Sequence, residues 1–181
     1  MIRLATADDA AQIAAIYRPF CLDSCVSFET EAPDGAEMAA RIERINRRYA
    51  WLVDAEAGVV RGYAYASPHR ERAAYRWAVE VTAYVHDGHR GRGVGRALYT
   101  DLFGRLRQQG LFKAYAGILV PNPGSQAFHE SMGFTLVGIY RKIGYKLGAW
   151  RDVGWWQLAL QPQTDSPADP RPPSHLQGTQ P

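Results

Sequence analysis

Apolar residues recur along this chain with two spacings, every three or four positions in some segments and every second position in others. The first spacing is typical of amphipathic helices and the second of half-buried strands. Together they predict strands at 2–5, 50–55, 59–67, 75–85, 112–120, 134–140 and 150–160, and helices that begin near Thr6 and Asp34, span about 93–109 and run from Asn122 to Met132. The order β-α-α-β-β-β-α-β-α-β-β predicts an α/β (α+β) fold in which helices flank a mixed sheet.

This pattern ends near residue 160. From Gln161 to Pro181 the chain consists mainly of Pro, Ser, Gln and Asp. Such a segment cannot bury enough apolar surface to offset the entropy lost on ordering it. We therefore expect one folded domain over 1–160 and a Pro-rich disordered tail over 161–181.

The composition narrows the possible functional classes. The chain has 181 residues, 46% of them hydrophobic, and a formal net charge of +3 without a continuous basic face, so nucleic-acid binding is not expected. Its two cysteines, Cys21 and Cys25, have no second pair that could complete a metal site. Neither a signal peptide nor a run of membrane-spanning length is visible. These features predict a cytoplasmic protein without a metal, a membrane or a nucleic acid as partner.

A glycine-rich turn lies between a predicted strand and a predicted helix, with the sequence His89-Arg90-Gly91-Arg92-Gly93-Val94-Gly95-Arg96. Small residues let consecutive backbone N–H groups point into one concavity, and the helix start adds its positive dipole end, so the turn suits a phosphate. The spacing excludes the dinucleotide-binding GxGxxG, because the third glycine would fall at Arg96 or Leu98, and it excludes a P-loop, because no Gly-Lys-Ser/Thr follows. A plain connecting turn is the alternative, but three glycines interleaved with three arginines favour a phosphate site.

One carboxylate interrupts the apolar central strand predicted at 75–85. By the strand period of two, Glu80, Thr82 and Tyr84 share one face, whereas apolar residues occupy the other. Burying a carboxylate without a partner is costly, so Glu80 is either half of an ion pair with an arginine or a functional group. Burial would raise its pKa toward the range that is useful for a general base.

The glycine-rich turn also carries a family resemblance. Arg90-Gly91-Arg92-Gly93-Val94-Gly95 resembles the Q/R-x-x-G-x-G/A signature of the GNAT acetyltransferase superfamily, and the predicted element order is similar to that of the GNAT acyl-CoA N-acyltransferase fold. More narrowly, the chain resembles the phosphinothricin and methionine sulfoximine N-acetyltransferases. The segments that carry this are 26–31 (VSFETE), 77–80 (WAVE), Asn122-Pro123, 129–134 (HESMGF) and 144–157 (GYKLGAWRDVGWWQ). The resemblance covers about residues 1–160 and does not fix the substrate.

The resemblance implies an enzyme that moves the acetyl group of acetyl-CoA directly to the primary amine of a small molecule. The expected acceptor is an amino acid analogue such as phosphinothricin or methionine sulfoximine. Glu80 is expected to be the general base, acting directly or through a water, and no metal or covalent nucleophile is required. His129 is expected to be an acid for the departing thiolate; a contact of His129 with CoA, or simple packing of its imidazole, is an equal alternative.

The resemblance also implies where acetyl-CoA binds. The expected binding residues are Thr82, Ala83, Tyr84 and Val85 beside the pantetheine arm, Arg90, Gly91, Arg92, Gly93, Val94, Gly95 and Arg96 around the pyrophosphate, and Asn122. Asn122 can also cap the helix that follows it. An N–H of the strand segment is expected to polarise the thioester carbonyl.

The acceptor pocket is expected to include Phe28, Glu29, Arg70, Arg76 and Tyr145, partly across the interface of a homodimer. Arg70 and Arg76 would pair with the anionic groups of an amino acid, and an exposed arginine without such a role is the alternative for each. Glu29 departs from the family, since the phosphinothricin resistance enzymes carry Arg there; a carboxylate would repel an anionic acceptor, which argues against the drug itself. The alternatives are another amine, such as a polyamine, an aminoglycoside or a protein N-terminus, or a non-catalytic acetyl-CoA-binding module.

Overall fold

The computed structural model describes residues 1–173, and its elements follow the predicted order. The strands are β1 (Ile2–Leu4), β2 (Trp51–Glu56), β3 (Val59–Pro68), β4 (Ala78–Val85), β5 (Lys113–Val120), β6 (Thr135–Lys146) and β7 (Ala149–Ala159). The helices are α1 (Ala10–Leu22), α2 (Gly35–Asn46), α3 (Val94–Gln108) and α4 (Pro123–Ser131). Within this described range, no helix combines the length and the apolar character needed to span a bilayer.

Within residues 1–173 the strands form one seven-stranded sheet in the order β1-β2-β3-β4-β5-β7-β6. Neighbouring strands are antiparallel except for the parallel pair β4 and β5. The mixed, mostly antiparallel sheet of the GNAT fold is therefore confirmed. β4 and β5 pair only over Ala78–Glu80 and Lys113–Tyr115, although β4 continues to Val85 and β5 to Val120. Beyond Glu80 the two central strands separate, which opens the sheet.

Helices cover both faces of the sheet. On one face α1 packs against β4, where the rings of Tyr17 and Phe20 lie 4.9 and 4.7 Å from that of Tyr84. On the other face α3 begins so close to β3 that a Cβ on Gly62 would lie 3.0 Å from Val94. The apolar stripes of both layers are buried against the strands in one core, and this fixes the glycine-rich turn at the open end of β4.

Two strand boundaries differ from the prediction by more than one residue. β4 begins at Ala78 rather than at residue 75, because Tyr75 ends a 3₁₀ turn that is closed by an N–H···O bond from Arg76 to Ala73 at 3.1 Å. β6 extends to Lys146 rather than ending at residue 140, and its pairing with β7 shifts register between Tyr140 and Gly144. Local β propensity identifies the strands, but tertiary pairing decides where they begin and end.

The first part of the expected disordered tail, residues 161–173, contacts the folded domain. Arg76 forms an ion pair with Asp169 at 2.7 Å, and the indole N–H of Trp77 donates to the Ala168 carbonyl at 2.8 Å. These partners were not anticipated, because the composition of the segment shows nothing that would hold it in place. The rest of the tail, from residue 174 on, lies outside the described residues.

Candidate active site

A cleft of about 1030 Å³ opens where β4 and β5 separate. Its walls are the end of β4, the glycine-rich turn, the first turns of α3 and α4, and one side of α1. The predicted acetyl-CoA residues that line it are Ala83, Tyr84, Val85, Arg90, Gly91, Gly93, Val94, Gly95, Arg96 and Asn122. Thr82 and Arg92 lie outside this lining. The fold thus brings most of the predicted co-substrate residues together around one cavity.

The end of β4 presents unpaired backbone groups to the cleft. His86 donates its N–H to the Arg61 carbonyl at 2.9 Å, so the alternation of the antiparallel ladder turns the N–H and C=O of Ala83 and Val85 away from β3. At that level β5 has already separated from β4. These groups therefore have no strand partner within the described sheet, and a ligand that lies along β4 can hydrogen-bond to them.

Two left-handed glycines shape the turn at the other end of the cleft. Gly91 has a φ of +72° and Gly93 a φ of +80°, a conformation that side chains disfavour. Gly93 is also the N-cap of α3, and among the described residues no side chain caps that helix start. The first N–H groups of α3 are therefore available to an anion, which the helix dipole also favours.

The arginines of the turn differ in their surroundings. Arg90 pairs with Asp87 at 3.0 Å, and its guanidinium lies 5.5 Å from the centre of the Phe20 ring. Arg96 donates to Ser131 Oγ at 2.8 Å. Because Arg90 and Arg96 line the cleft, their charges face the position where a diphosphate would meet the start of α3.

α4 carries two of the predicted residues, Asn122 and His129. Asn122 lines the cleft and caps the helix, since its Oδ1 accepts the N–H of Ser125 at 3.2 Å. His129 is buried outside the lining, with Nδ1 2.8 Å from the Ser125 carbonyl and Nε2 3.2 Å from Tyr99 Oη. A carbonyl only accepts, so Nδ1 carries the proton and Nε2 accepts from the phenol. Burial lowers the pKa of this imidazole, and the arrangement favours packing over acid catalysis.

Glu80 lies at the last position where β4 and β5 still pair. Its Oε1 is 3.1 Å from His69 Nδ1 and 3.2 Å from Arg70 Nη1, and its side chain is 31% exposed. Burial raises the pKa of the Glu80 carboxyl, and the charge of Arg70 offsets this only in part. Both properties considered from the sequence are therefore present: an ion pair with an arginine, and a raised pKa that suits a general base.

His69 is a residue of this site that the sequence analysis missed. His69 directly follows β3. Because β3 runs antiparallel to β4, the end of β3 brings His69 beside Glu80. Its ring stacks on that of Tyr115 at 4.4 Å and meets the Trp155 ring edge-on at 5.8 Å. Burial lowers the pKa of the imidazole, and the nearby Arg70 lowers it further. A histidine just after a predicted strand was the available signal, but only the strand register shows which carboxylate it meets.

Two of the predicted acceptor residues, Phe28 and Tyr145, lie at the hairpin of β6 and β7. A Cβ on Gly144 would overlap the Phe28 ring, so glycine lets this ring rest on the hairpin. Tyr145 is 62% exposed, and its ring lies 5.5 Å from that of Trp150. Phe28 and the hairpin thus form one partly exposed aromatic surface.

Glu29 does not present an uncompensated charge to an acceptor. Arg41 binds both of its carboxylate oxygens, at 2.7 and 3.0 Å, and Tyr17 Oη donates to it at 3.0 Å. Burial alone would raise the pKa of Glu29, but these hydrogen bonds hold it below its ordinary value. The repulsion of anionic acceptors expected from the sequence is offset by a guanidinium twelve residues away in the chain.

The two predicted acceptor arginines have separate locations. Arg70 lies at Glu80, with its guanidinium 5.9 Å from the centre of the Trp155 ring. Arg76 instead pairs with Asp169 and lies over its neighbour, the Trp77 ring, at 4.8 Å. The structure therefore brings Arg70 to the site and gives Arg76 a partner in the C-terminal segment.

Lys146 is a second residue whose role was not seen in the sequence. It is 6% exposed, and its ammonium donates to the carbonyls of Ser27, Glu29 and Phe20 at 2.6, 2.8 and 3.3 Å. All three donors of the ammonium are thereby satisfied. Lys146 fixes the loop between α1 and α2, and with it Phe28 and Glu29, onto the hairpin.

The described part of the chain contains neither a disulfide bond nor a cluster of side chains that could bind a metal ion. Cys21 and Cys25 are free thiols. Within residues 1–173, no three His, Cys, Asp or Glu side chains come together in a way that could hold a metal ion.

Known proteins are similar to this chain in fold and in sequence. Residues 2–155 match the acetyltransferase (GNAT) domain family. The chain is 43% identical over 171 residues to a phosphinothricin N-acetyltransferase of Streptomyces viridochromogenes, with 94% of this chain and 91% of the relative covered. It is 36% identical over 160 residues to an L-methionine sulfoximine/L-methionine sulfone acetyltransferase of Salmonella typhimurium, with 88% and 94% covered.

A solved structure supports the same assignment. The GNAT superfamily phosphinothricin acetyltransferase of Sinorhizobium meliloti, crystallised in complex with acetyl-CoA, matches with a TM-score of 0.82 and 36% identity, covering 100% of this chain and 92% of that one. By sequence and by fold, this chain belongs to the GNAT acetyltransferase family and is an N-acetyltransferase.

Proposed function

We propose that the enzyme transfers the acetyl group of acetyl-CoA to the primary amine of an amino acid analogue such as phosphinothricin or methionine sulfoximine. One observation carries this proposal: a single cleft joins the uncapped start of α3 to the end of β4, where Ala83 and Val85 have free backbone groups and Glu80 lies three residues before Ala83 on the same strand. A long thioester with a diphosphate at one end matches that arrangement. The acceptors for which the two relatives are named support this acceptor class.

Each part of the cleft has a role in this reaction. Bound acetyl-CoA supplies an acetyl group activated as a thioester. The first amides of α3, with Arg90 and Arg96, bind the diphosphate, and the free backbone groups of Ala83 and Val85 hold the pantetheine arm. An N–H of this strand stabilises the negative charge that develops on the carbonyl oxygen of the acetyl group.

Glu80 acts as the general base. The acceptor arrives as an ammonium ion, and its nitrogen becomes nucleophilic only after a proton has been removed. Because burial raises the pKa of Glu80, the carboxylate holds that proton more firmly than an exposed glutamate would. A module that only bound acetyl-CoA would have no need for a half-buried carboxylate at the point where β4 and β5 separate.

The anionic group of the acceptor is bound by Arg70. Arg70 lies beside both Glu80 and the Trp155 ring. Since Arg41 neutralises Glu29, an anionic acceptor is not repelled from that side.

A thiol-release assay over a panel of amines tests the proposal, with each acetylated product identified by mass spectrometry. The panel contains methionine sulfoximine, phosphinothricin, methionine sulfone, other amino acids, a polyamine, an aminoglycoside and a peptide N-terminus. We expect the highest kcat/KM for the amino acid analogues. A higher kcat/KM for one of the other amines would contradict the acceptor class, and no turnover with any amine would favour a non-catalytic binding module.

We also propose that the enzyme is a homodimer. The hairpin of β6 and β7 exposes large apolar side chains that residues 1–173 do not cover, namely Ile143, Tyr145, Leu147 and Trp150, each of them 55–62% exposed. We call this set the hairpin patch. Exposed apolar patches of this kind mark surfaces that bind other proteins, and the hairpin patch adjoins the acceptor residue Phe28 through Gly144.

A further inference from the structure

Glu80 has two carboxylate oxygens with unlike surroundings. Oε1 accepts from His69 Nδ1 at 3.1 Å and from Arg70 Nη1 at 3.2 Å. Both of these bonds involve Oε1, and no hydrogen bond to Oε2 is formed within residues 1–173. An oxygen that already accepts two hydrogen bonds is a weaker base than one that accepts none. The proton of the acceptor would therefore go to Oε2.

The two donors to Oε1 differ in how firmly they are held. His69 is 16% exposed at its side chain, and its ring is fixed between Tyr115, on which it stacks, and the edge of Trp155. The Arg70 side chain is 46% exposed, and an anionic acceptor would compete with Glu80 for its guanidinium. His69 is thus the donor that stays on Oε1 when the acceptor is bound.

The imidazole has a defined protonation state in this arrangement. An ionised carboxylate only accepts, so Nδ1 carries the hydrogen that points at Oε1. The charged and titratable groups in contact with His69 in the described structure are Glu80, Arg70 and the phenol rings of Tyr75 and Tyr115. Burial and the charge of Arg70 lower the pKa of His69, so the ring is neutral near pH 7 and donates a hydrogen bond without adding charge.

We propose that His69 is a positioning residue for the catalytic base: its Nδ1–H fixes Oε1 of Glu80 so that Oε2 faces the acceptor nitrogen. In the step that it supports, one N–H bond of the acceptor ammonium breaks, the proton bonds to Oε2, and the nitrogen keeps the electron pair. That pair forms the bond to the acetyl carbon, the C–S bond of the thioester then breaks, and CoA leaves as a thiolate that takes up the second proton lost by the nitrogen. This inference rests on the proposed role of Glu80 and adds the residue that orients it.

A double-mutant cycle separates this role from a purely structural one. His69→Phe keeps a ring that can stack on Tyr115 but removes the donor. We expect kcat to fall about ten- to a hundredfold, part of the roughly 10²- to 10⁴-fold that a positioned base contributes. In the Glu80→Gln background, His69→Phe should cause no further loss, because His69 acts only through that carboxylate.

Two more readouts sharpen the test. Without the Nδ1 hydrogen bond the ionised form of Glu80 is less stable, so the pKa of the acidic limb of kcat/KM should move upward in His69→Phe. His69→Asn places an amide N–H near the position of Nδ1 and should recover most of the lost kcat. Calorimetry should give the wild-type Kd for acetyl-CoA in each variant, and thermal melting checks that each is folded; if His69→Phe does not fold, His69→Leu replaces it.

The outcomes distinguish the two proposals. Wild-type turnover of Glu80→Gln alone would overturn Glu80 as the base. A large loss in Glu80→Gln, with an unchanged kcat and acidic limb in the donor-free His69 variant, would overturn the role of His69 alone. An equal loss from that variant in both backgrounds would assign His69 to packing and would likewise overturn its positioning role.

Discussion

At the scale of single residues, the proposed reaction depends on a half-buried carboxylate and on backbone amides that have few hydrogen-bond partners. Glu80 keeps one carboxylate oxygen bound to His69 and Arg70, while burial makes the whole group more basic. Gly93, in the wall of the cleft, leaves the start of α3 without a side-chain cap among the described residues. In the proposed reaction, Glu80 takes a proton and the first amides of α3 bind the diphosphate.

Charge at Gly93 is expected to control the binding of acetyl-CoA. Gly93→Asp and Gly93→Asn share the same strain at a φ of +80° and differ mainly in charge. A carboxylate a few ångströms from a phosphate costs about 1 to 4 kcal/mol, depending on solvent screening. We expect the Kd measured by calorimetry to be about tenfold or more higher for Gly93→Asp than for Gly93→Asn. Equal values for the two variants would remove the turn from the diphosphate site.

The sequence predicted individual site residues where one segment carries the whole signal. The spacing of the turn pointed to Gly91 and Gly93, and the period of β4 pointed to Glu80; the structure places the two glycines in the wall of the cleft and Glu80 at the last paired position of β4 and β5. His69 and Arg41 were missed as partners because each meets its carboxylate across a fold contact, one between β3 and β4 and one between α2 and the preceding loop. Such contacts depend on strand register and loop path, which a single sequence does not contain.

At the scale of elements, the order of strands and helices was predictable because each element has its own hydrophobic period. The separation of β4 from β5 was not predictable. The two strands pair over only three positions and then diverge around the cleft. This divergence is a property of how the strands lie relative to each other, and the sequence of neither strand contains it. The same limit explains why β6 runs to Lys146 beyond its predicted end.

The start of α1 is expected to make stability depend on pH. Asp9 is buried, and two hydrogen bonds from Arg3, both at 2.7 Å, hold the pKa of its carboxyl below the ordinary value. A depressed folded pKa gives stability that is fully present above the unfolded pKa of about 3.9 and is lost as the pH falls through the folded pKa.

Asp9→Asn tests that dependence by urea unfolding. At pH 7 the variant should lose about 1 to 2 kcal/mol of unfolding free energy, a value discounted because Arg3 is partly exposed. The difference from the wild type should shrink as the pH falls below about 4. Asp8→Asn, at the exposed neighbour, serves as the control and should change stability by less than about 0.5 kcal/mol. A difference for Asp9→Asn that stays constant down to low pH would contradict the account.

At the scale of the whole molecule, the sequence predicts the contacts made by surfaces outside the cleft least well. The composition of residues 161–173 gave no sign of the contacts at Arg76 and Trp77. These contacts occupy one of the arginines assigned to the acceptor and leave Arg70 in that role. All members of the hairpin patch except Ile143, by contrast, lie in the segment 144–157, which also carries the family resemblance.

The hairpin patch is expected to hold two chains together. Light scattering after gel filtration should give twice the chain mass of 20.2 kDa for the wild type. The double substitution Ile143→Lys with Trp150→Lys should give the mass of a single chain, because burying two ammonium groups in an apolar interface is costly. Val59→Lys, at an exposed valine of β3, is the control and should remain dimeric. A wild type with the mass of one chain would rule out the proposed dimer.

The central claim is that Glu80 takes the proton of the acceptor while other residues bind acetyl-CoA. Glu80→Gln preserves the shape of the side chain and removes its basicity. The most direct test measures, on this one variant, kcat with the best acceptor and Kd for acetyl-CoA. We expect kcat to fall by about 10²- to 10⁴-fold with Kd unchanged, and in the wild type we expect kcat/KM to rise with pH through the raised pKa of Glu80. A Glu80→Gln enzyme that turns over at the wild-type rate would contradict the account.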